Sequence, residues 1–258
     1  MSNRRTDSAR TGARPPRNIR PAEGVVGDVL TELELLFTDL DVLADNLRAL
    51  AQKEPMDRED LVALRPVIFN ILNTRRGLVA GSGVIMTPDL LRDAPRWLEW
   101  WWTTPAGTPE ALRINLDPSA PDFFDYTTAD WYATPARTLR RWISGPYVDY
   151  VCTNAYTITL ATPVRGDDHL VGIAAADVLI SSLEPRVLPV LTAIPHPVVL
   201  ASGDGRVIAS NSPYWAPGMS IALGDRPRTG AAGKGARAGS PDASPRSWVL
   251  VDVDDPAD

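Results

Sequence analysis

The most informative stretch of the chain runs over residues 123–136 and reads Phe123-Phe-Asp-Tyr-Thr-Thr-Ala-Asp-Trp-Tyr-Ala-Thr-Pro-Ala136. Apolar residues continue from it with helical spacing, so we predict a helix over Thr128–Ile143. Three strands are predicted after this helix, at Tyr150–Cys152, Ala155–Pro163 and Leu170–Val178. The segment Arg165-Gly-Asp-Asp168 supplies the last turn, because Gly and Asp tolerate turn conformations. A helix followed by a meander of antiparallel strands indicates an α+β fold.

A long amphipathic helix is predicted towards the N-terminus, within residues 23–54. Its apolar residues alternate at spacings of three and four over nearly four heptads, at Val26, Val29, Leu33, Leu36, Leu40, Leu43, Leu47 and Leu50. Leu30 and Phe37 broaden the apolar stripe, so one side can pack on the domain while the heptad seam meets a second copy. We therefore predict a homodimer through this helix. The alternative, a helix packed only on its own domain, stays open.

Residues 55–190 are predicted to form the main domain. Pro55 ends the long helix, and Asp57 can cap a second helix that runs to Arg76 with a kink at Pro66. The next segments are strand candidates, at Gly77–Thr87, Arg96–Thr103 and Leu112–Leu116. Glycines in the first of them are typical of a strand that another group approaches closely.

A smaller second PAS-like unit is predicted over residues 191–258, and the sequence leaves its completeness open. Strands at Pro197–Ala201 and Arg206–Ser210 flank the turn Ser202-Gly-Asp-Gly205. Residues 224–247 are rich in Gly, Ala, Pro, Ser and Arg, so a flexible insertion is expected there. Trp248–Val253 is predicted to return as a strand.

Composition limits the classes of partner. The 258 residues are 44% apolar and carry a net charge of −6, which argues against a surface built for nucleic acid. Residues 1–22 contain six arginines and little to bury, so we expect a disordered basic arm. No window approaches the roughly 18 to 20 apolar residues of a membrane span, and nothing resembles a signal peptide. We therefore expect a cytoplasmic protein with no membrane partner.

Catalytic and metal-binding motifs are not found. A single cysteine, Cys152, rules out an internal disulfide, and we interpret it as a small buried residue in a strand. His169 and His196 lack the spacing of metal ligands or of a catalytic triad. The Gly203–Gly205 turn lacks the Lys of a phosphate-binding loop. We expect no metal, no cofactor and no enzymatic activity.

Three further motifs accompany the 123–136 stretch: Gly145-Pro-Tyr-Val-Asp149, Gly172-Ile-Ala-Ala-Ala-Asp177 and the hairpin over Leu200–Ala209. Together with the long leading helix, they resemble the double Cache family of sensor domains. The resemblance covers roughly residues 24–223. It implies a PAS-like domain with a central antiparallel sheet that senses a small molecule, and it leaves the output unexplained. Our own expectation is that the protein acts through a regulatory protein partner.

The resemblance also implies site residues. In members that bind amino acids, a Tyr-x-Asp element and the aspartate closing the last strand hold the ligand's ammonium group, and these positions are Tyr147, Asp149 and Asp177. The Arg and Tyr that would hold the ligand's carboxylate are replaced by Ala129 and Phe124.

These replacements predict the charge of the ligand. A buried ligand carboxylate without a guanidinium partner would cost several kcal/mol, whereas two aspartates favour a cation. We therefore expect a cationic amine or a quaternary ammonium ligand. The aromatic residues expected to line its pocket, several through cation–π contacts, are Trp131, Tyr132, Phe124, Trp100 and Trp102.

Alternatives remain at this point. The protein could bind amino acids, could use Asp149 or Asp177 as a general base, or could be a structural dimerisation protein. Both aspartates could instead cap turns. The tryptophans at 97, 100, 101 and 102 cannot all face one cavity if they lie on a strand, because alternate side chains point to opposite sides.

Overall fold

The computed structural model describes residues 18–53, 55–104, 106–223 and 247–254. The four α-helices of this part are α1 Glu23–Leu50, α2 Arg65–Thr74, α3 Asp130–Thr138 and α4 Ile180–Thr192. Two 3-10 helices span Arg58–Leu64 and Tyr126–Thr128. The strands are β1 Asn18–Pro21, β2 Val79–Met86, β3 Leu98–Thr103, β4 Pro109–Ala111, β5 Trp142–Asp149, β6 Ala155–Arg165, β7 Leu170–Leu179, β8 Val198–Ala201, β9 Val207–Ser210 and β10 Val249–Asp252.

These strands form two antiparallel sheets. The larger sheet has the order β4-β3-β2-β7-β6-β5, and the smaller has the order β1-β10-β8-β9. Every pairing is antiparallel. The predicted α+β architecture, with a long helix before a central antiparallel sheet and a smaller second sheet, is confirmed.

Helix α1 packs across β6 and β7 of the larger sheet and against α4. Its apolar stripe is buried in the main core, with Leu33, Leu36, Leu40, Leu43 and Leu47 all fully inaccessible. The heptad seam therefore contacts the chain's own sheet, and the prediction that this seam meets a second copy is wrong. The large apolar residues that α1 exposes are Leu35 and Val42, on its outer side.

A pair of substitutions in α1 measures this burial. Leu36→Ala removes a fully buried side chain, and we expect it to lower the free energy of unfolding by about 2–5 kcal/mol. Leu35 is 47% exposed, so Leu35→Ala should change it by less than about 0.5 kcal/mol. Urea denaturation of both variants tests the assignment. Equal losses at the two positions would contradict the packing of α1 on the sheet.

Several element boundaries differ from prediction near the 123–136 stretch. The predicted helix over Thr128–Ile143 is too long, because Leu139 adopts a left-handed conformation (φ 55°) that ends α3. Strand β5 then begins at Trp142, so the predicted strand at Tyr150–Cys152 is a turn. Cys152 lies in this turn and is only partly buried, contrary to its interpretation as a strand residue.

Other boundaries also shift. The helix predicted from Asp57 to Arg76 divides into a 3-10 helix and α2. Pro66 lies in the first turn of α2, where a backbone N–H would have no acceptor within the helix, so the missing N–H of proline costs no hydrogen bond. The strand expected at Leu112–Leu116 is instead Pro109–Ala111, paired with β3.

The smaller sheet includes part of the predicted basic arm. Strand β1 pairs with β10, and the guanidinium group of Arg20 lies 2.6 Å from the Asp252 carboxylate. The prediction of disorder is therefore wrong for Asn18–Pro21, while residues 1–17 and 224–246 lie outside the described residues. One apolar core is continuous from the larger sheet, through α4, to Leu200 and Leu250 of the smaller one.

Candidate functional site

The two faces of the larger sheet are covered differently. Helices α1, α2 and α4 cover one face, while α3 and the 3-10 helix at Tyr126–Thr128 lie against the other. A separate apolar cluster on this second face contains Trp100, Ala161, Ile173 and Ala175 with Tyr126 and Tyr132. Because side chains alternate along a strand, Thr159 and Asp177 lie on this α3 face as well.

Four residues of the α3 face lie side by side across four strands. Gly81 pairs with Trp102 on one side and with Asp177 on the other, and Asp177 pairs in turn with Thr159. The Trp100 side chain reaches over this row. Its Nε1 atom lies 2.9 Å from the position that a Cβ atom would occupy at Gly81. The expectation that a group approaches the glycine-rich strand closely is therefore correct, and that group is an indole.

Asp177 is the charged residue at the centre of the row, and only 6% of it is exposed. The Thr159 hydroxyl donates a hydrogen bond of 2.6 Å to its Oδ1 atom, and the Tyr147 hydroxyl lies 2.7 Å from the Thr159 oxygen. Within the described ranges, no Lys, Arg or His lies within ion-pair distance of Asp177. Burial, with a smaller contribution from the Asp149 charge, raises the pKa of Asp177 to about 7, although the Thr159 hydrogen bond opposes this shift.

Asp149 has a different role. Its carboxylate accepts backbone hydrogen bonds from Val151 and Cys152 at Oδ1 and from Thr153 at Oδ2, at 3.0–3.2 Å. The turn-capping alternative is therefore correct for Asp149. Its charge still acts on a neighbouring group, the thiol of Cys152. Burial raises the pKa of Cys152 to about 12, and the charges of Asp177 and Asp149 contribute to this rise. This thiol is therefore neutral near pH 7 and a poor nucleophile.

Tyr147 belongs to the same group of side chains. Burial, reinforced by the Asp177 charge, raises the pKa of its phenol, so Tyr147 stays protonated and able to donate. Since the Thr159 hydroxyl proton is directed to Asp177, the geometry favours a chain in which Tyr147 donates to Thr159 and Thr159 donates to Asp177. We call Tyr147, Thr159 and Asp177 the acceptor chain.

The predicted aromatic residues divide into two groups. Tyr132 is buried and packs edge-to-face on Tyr126, with ring centroids 5.1 Å apart. Its ring belongs to the core, so the structure does not support the predicted cation–π contact from Tyr132. Phe124 and Trp131 pack half-buried against the same cluster. Consecutive residues on a helix do not face the same direction, so Trp131 and Tyr132 cannot both face one ligand group.

The tryptophans of β3 and the segment before it alternate as expected. Trp100 and Trp102 lie on the α3 face, whereas Trp97 and Trp101 pack against the main core on the opposite side. Trp101 stacks edge-on with Phe69 at 4.8 Å, and its ring lies under the Arg65 guanidinium group. Two of the four tryptophans are therefore ordinary core residues.

Sequence reasoning missed two residues of the α3 face. Thr159 carries the hydrogen bond to Asp177, and its position two residues before Ala161 on an apolar strand was the available signal. Arg96 was also missed. It pairs with Asp125 at 2.6 Å and lies over the rings of Phe123 and Tyr126. A ligand carboxylate would have to compete with Asp125 for this guanidinium group.

The described residues contain neither a metal-binding cluster nor a helix suited to span a membrane. No group of His, Cys, Asp and Glu side chains among them is arranged to hold a metal ion. None of their helices has the length and apolar character that crossing a membrane requires.

Residues 108–185, which include α3 and β5 to β7, match the family model described as methyl-accepting chemotaxis protein-like, first PDC sensor domain. Over these residues the larger-sheet unit is similar to a PDC sensor domain. The matched range contains the whole acceptor chain. No curated protein sequence matches the chain significantly.

Solved structures share the fold of this chain. The extracellular domain of mmHK1S-Z2, described as a histidine kinase, has a TM-score of 0.54 at 18% identity, covering 79% of this chain and 76% of its own. Methyl-accepting chemotaxis protein X has a TM-score of 0.52 at 17% identity and coverages of 75% and 72%. A third structure, the extracellular domain of mmHK1S-Z3, reaches 0.50 at 16% identity, with coverages of 72% and 68%. At these identities the likeness shows the fold.

Proposed function

We propose that this chain is a Cache-type sensor domain and that it binds a cationic amine whose ammonium group pairs with Asp177 on the α3 face. The proposal rests on the burial of Asp177 and on its lack of a cationic partner among the described residues. Asp177 is a nearly buried carboxylate that accepts one side-chain hydrogen bond and has no cationic partner in the described part of the chain.

A buried charge of this kind costs several kcal/mol unless a counter-ion compensates it. The described residues do not supply that counter-ion, and burial raises the pKa of Asp177. A bound ammonium group would supply it, and its N–H groups could donate to the free lone pairs of the carboxylate. The unfavourable position of Asp177 is thus consistent with a binding role.

The described residues offer little to bind the carboxylate of an amino acid. Ala129 forms the N-terminal boundary of α3 and has no functional group, while Phe124 packs on the aromatic cluster. The guanidinium group of Arg96 already pairs with Asp125. An amine without an essential carboxylate is therefore favoured over an amino acid. A primary or secondary ammonium is favoured over a quaternary one, because Tyr132 is packed in the core and only N–H groups can donate to Asp177.

Thermal-shift screening followed by calorimetry tests this proposal. The purified chain is screened at pH 8 against primary, secondary and quaternary amines, amino acids, neutral polyols and carboxylic acids. We expect stabilisation by primary and secondary amines. Binding of carboxylic acids or neutral compounds, with no amine among the ligands, would overturn the proposal.

Amine binding should depend on pH through Asp177. The ligand requires the ionised carboxylate, whose pKa in the unliganded protein is about 7. For an amine that stays protonated throughout, we expect the affinity to be constant above pH 7.5 and to fall about tenfold for each pH unit below 7. Calorimetric titration from pH 5.5 to pH 8.5 measures this profile. An affinity that does not change over the whole range would exclude Asp177 as the acceptor.

A second candidate function rests on the same pKa. A carboxylate with a pKa of about 7 is suited to general-base catalysis near neutral pH. Proton NMR of each bound amine, incubated with the protein for a day, distinguishes the two functions. Conversion of the amine would favour an enzyme, whereas an unchanged spectrum favours a sensor. Signalling through a regulatory protein and a cytoplasmic location stay predictions.

A further inference from the structure

The α3 face holds a second unpaired polar group close to Asp177, the indole nitrogen of Trp100. Trp100 is 6% exposed, and its Nε1 atom has no hydrogen-bond partner among the described residues. A buried donor without an acceptor costs about 1–3 kcal/mol. The fold therefore leaves both a donor and a charged acceptor incompletely paired on one face of the sheet.

These two groups lie beside the same glycine. Trp100 Nε1 lies 2.9 Å from the position of a Cβ atom at Gly81, and Gly81 is the cross-strand partner of Asp177. Side-chain positions of such partners are about 4.5–5.5 Å apart. Because Gly81 has no side chain, it places no atom between the indole N–H of Trp100 and the carboxylate of Asp177.

From this arrangement, and on the basis of the function proposed above, we infer that the ligand is an amine carrying a hydrogen-bond acceptor a short carbon spacer away from its nitrogen. The ammonium group pairs with Asp177, and a hydroxyl, ether or carbonyl oxygen accepts the Trp100 N–H. Amino alcohols, amino ethers and amino amides meet this requirement, whereas simple alkylamines and quaternary alkylammonium ions do not.

The test uses amines that differ only in the acceptor. Ethanolamine is compared with propylamine, 3-amino-1-propanol with butylamine, and 2-methoxyethylamine with butylamine, by calorimetry at pH 8. We expect at least one acceptor-bearing amine to bind about tenfold more tightly than its alkyl partner. Trp100→Phe keeps an aromatic ring but removes the N–H, so it should abolish the difference in affinity between the acceptor-bearing amine and its alkyl partner.

Trp97→Phe is the matched control. Its Nε1 atom is also buried without a partner, but Trp97 packs against the core on the opposite face. This variant should keep the preference for the acceptor-bearing amine. A preference that Trp97→Phe and Trp100→Phe abolish equally would contradict the inference.

A spectroscopic measurement covers the case in which Trp100→Phe folds poorly. In a ¹⁵N–¹H spectrum of the wild-type chain, the indole resonance of Trp100 should move downfield on addition of the preferred acceptor-bearing amine and stay unshifted with the alkylamine. Equal binding of both members of every pair, with no indole shift, would overturn the inference and leave the amine proposal intact. If no amine of either kind binds, both proposals fail.

Discussion

Replacing Asp177 with asparagine is expected to abolish amine binding and, at pH 8, to make the unliganded protein more stable than the wild type. We expect an affinity loss of at least 100-fold, since truncating one partner of a buried charged pair commonly costs 2–5 kcal/mol. The gain in stability has the same origin as the loss of binding, because the substitution removes a buried and unpaired charge.

The sign of the stability change follows from the pKa. Asp177 titrates near 7 in the folded chain and near its ordinary value of 3.8 when unfolded. Between these values the folded state binds more protons, so stability falls as the pH rises from about 4 to about 7. The difference between the two pKa values corresponds to a few kcal/mol above pH 7. An asparagine side chain carries no such penalty, so the Asp177→Asn variant should gain most at pH 8 and little at pH 4.

Thermal melts of the wild type and of Asp177→Asn at pH 4, 6 and 8 measure this effect, and calorimetry at pH 8 measures binding. The matched control is Asp168→Asn, because Asp168 lies exposed in the β6–β7 turn. It should alter neither the melting temperature nor the affinity. Wild-type affinity in the Asp177→Asn variant would refute the assigned site, and a variant that is less stable at pH 8 would refute the unpaired buried charge.

The position of Asp177 on the α3 face could be predicted from the sequence because it depends on local features. An apolar run of strand length ends in a single aspartate, and alternation along β7 places that aspartate on the face opposite Ala176 and Val178. Asp149 could not be assigned in the same way. Its role as a turn cap depends on β5 ending at Asp149, and the prediction placed a strand after that residue instead.

The long helix shows a different limit. A stripe of leucines at heptad spacing predicts a buried face but does not say what covers it. In the structure Leu30, Phe37 and Ala44 are buried beside the seam, which makes the apolar stripe wide enough to pack on a sheet. Strand β1 shows the limit of local patterns, because its partner β10 lies near the opposite end of the chain.

The second large effect is expected from Gly83→Ala, in the strand that carries Gly81. A Cβ atom at residue 83 would lie 2.2 Å from the Glu99 carbonyl oxygen and 2.8 Å from the Trp100 Cα atom. Both are backbone atoms of β3, so no side chain can rotate away, and β2 and β3 would have to separate. Overpacking of this kind commonly costs about 1–3 kcal/mol, and we expect the upper end or more because the backbone itself must move.

Loss of ligand binding should accompany this destabilisation, because separating β2 from β3 moves Trp100 and Trp102 away from Gly81 and Asp177. The matched control is Gly24→Ala, where no atom lies within 4 Å of the new Cβ atom and the residue is in the first turns of α1. That variant should be as stable as the wild type or slightly more so, since alanine favours the helix. Urea denaturation and amine calorimetry on both variants complete the test. If Gly83→Ala matched Gly24→Ala in stability, the close approach of β3 to β2 would be wrong, and with it the position of Trp100 beside the acceptor chain.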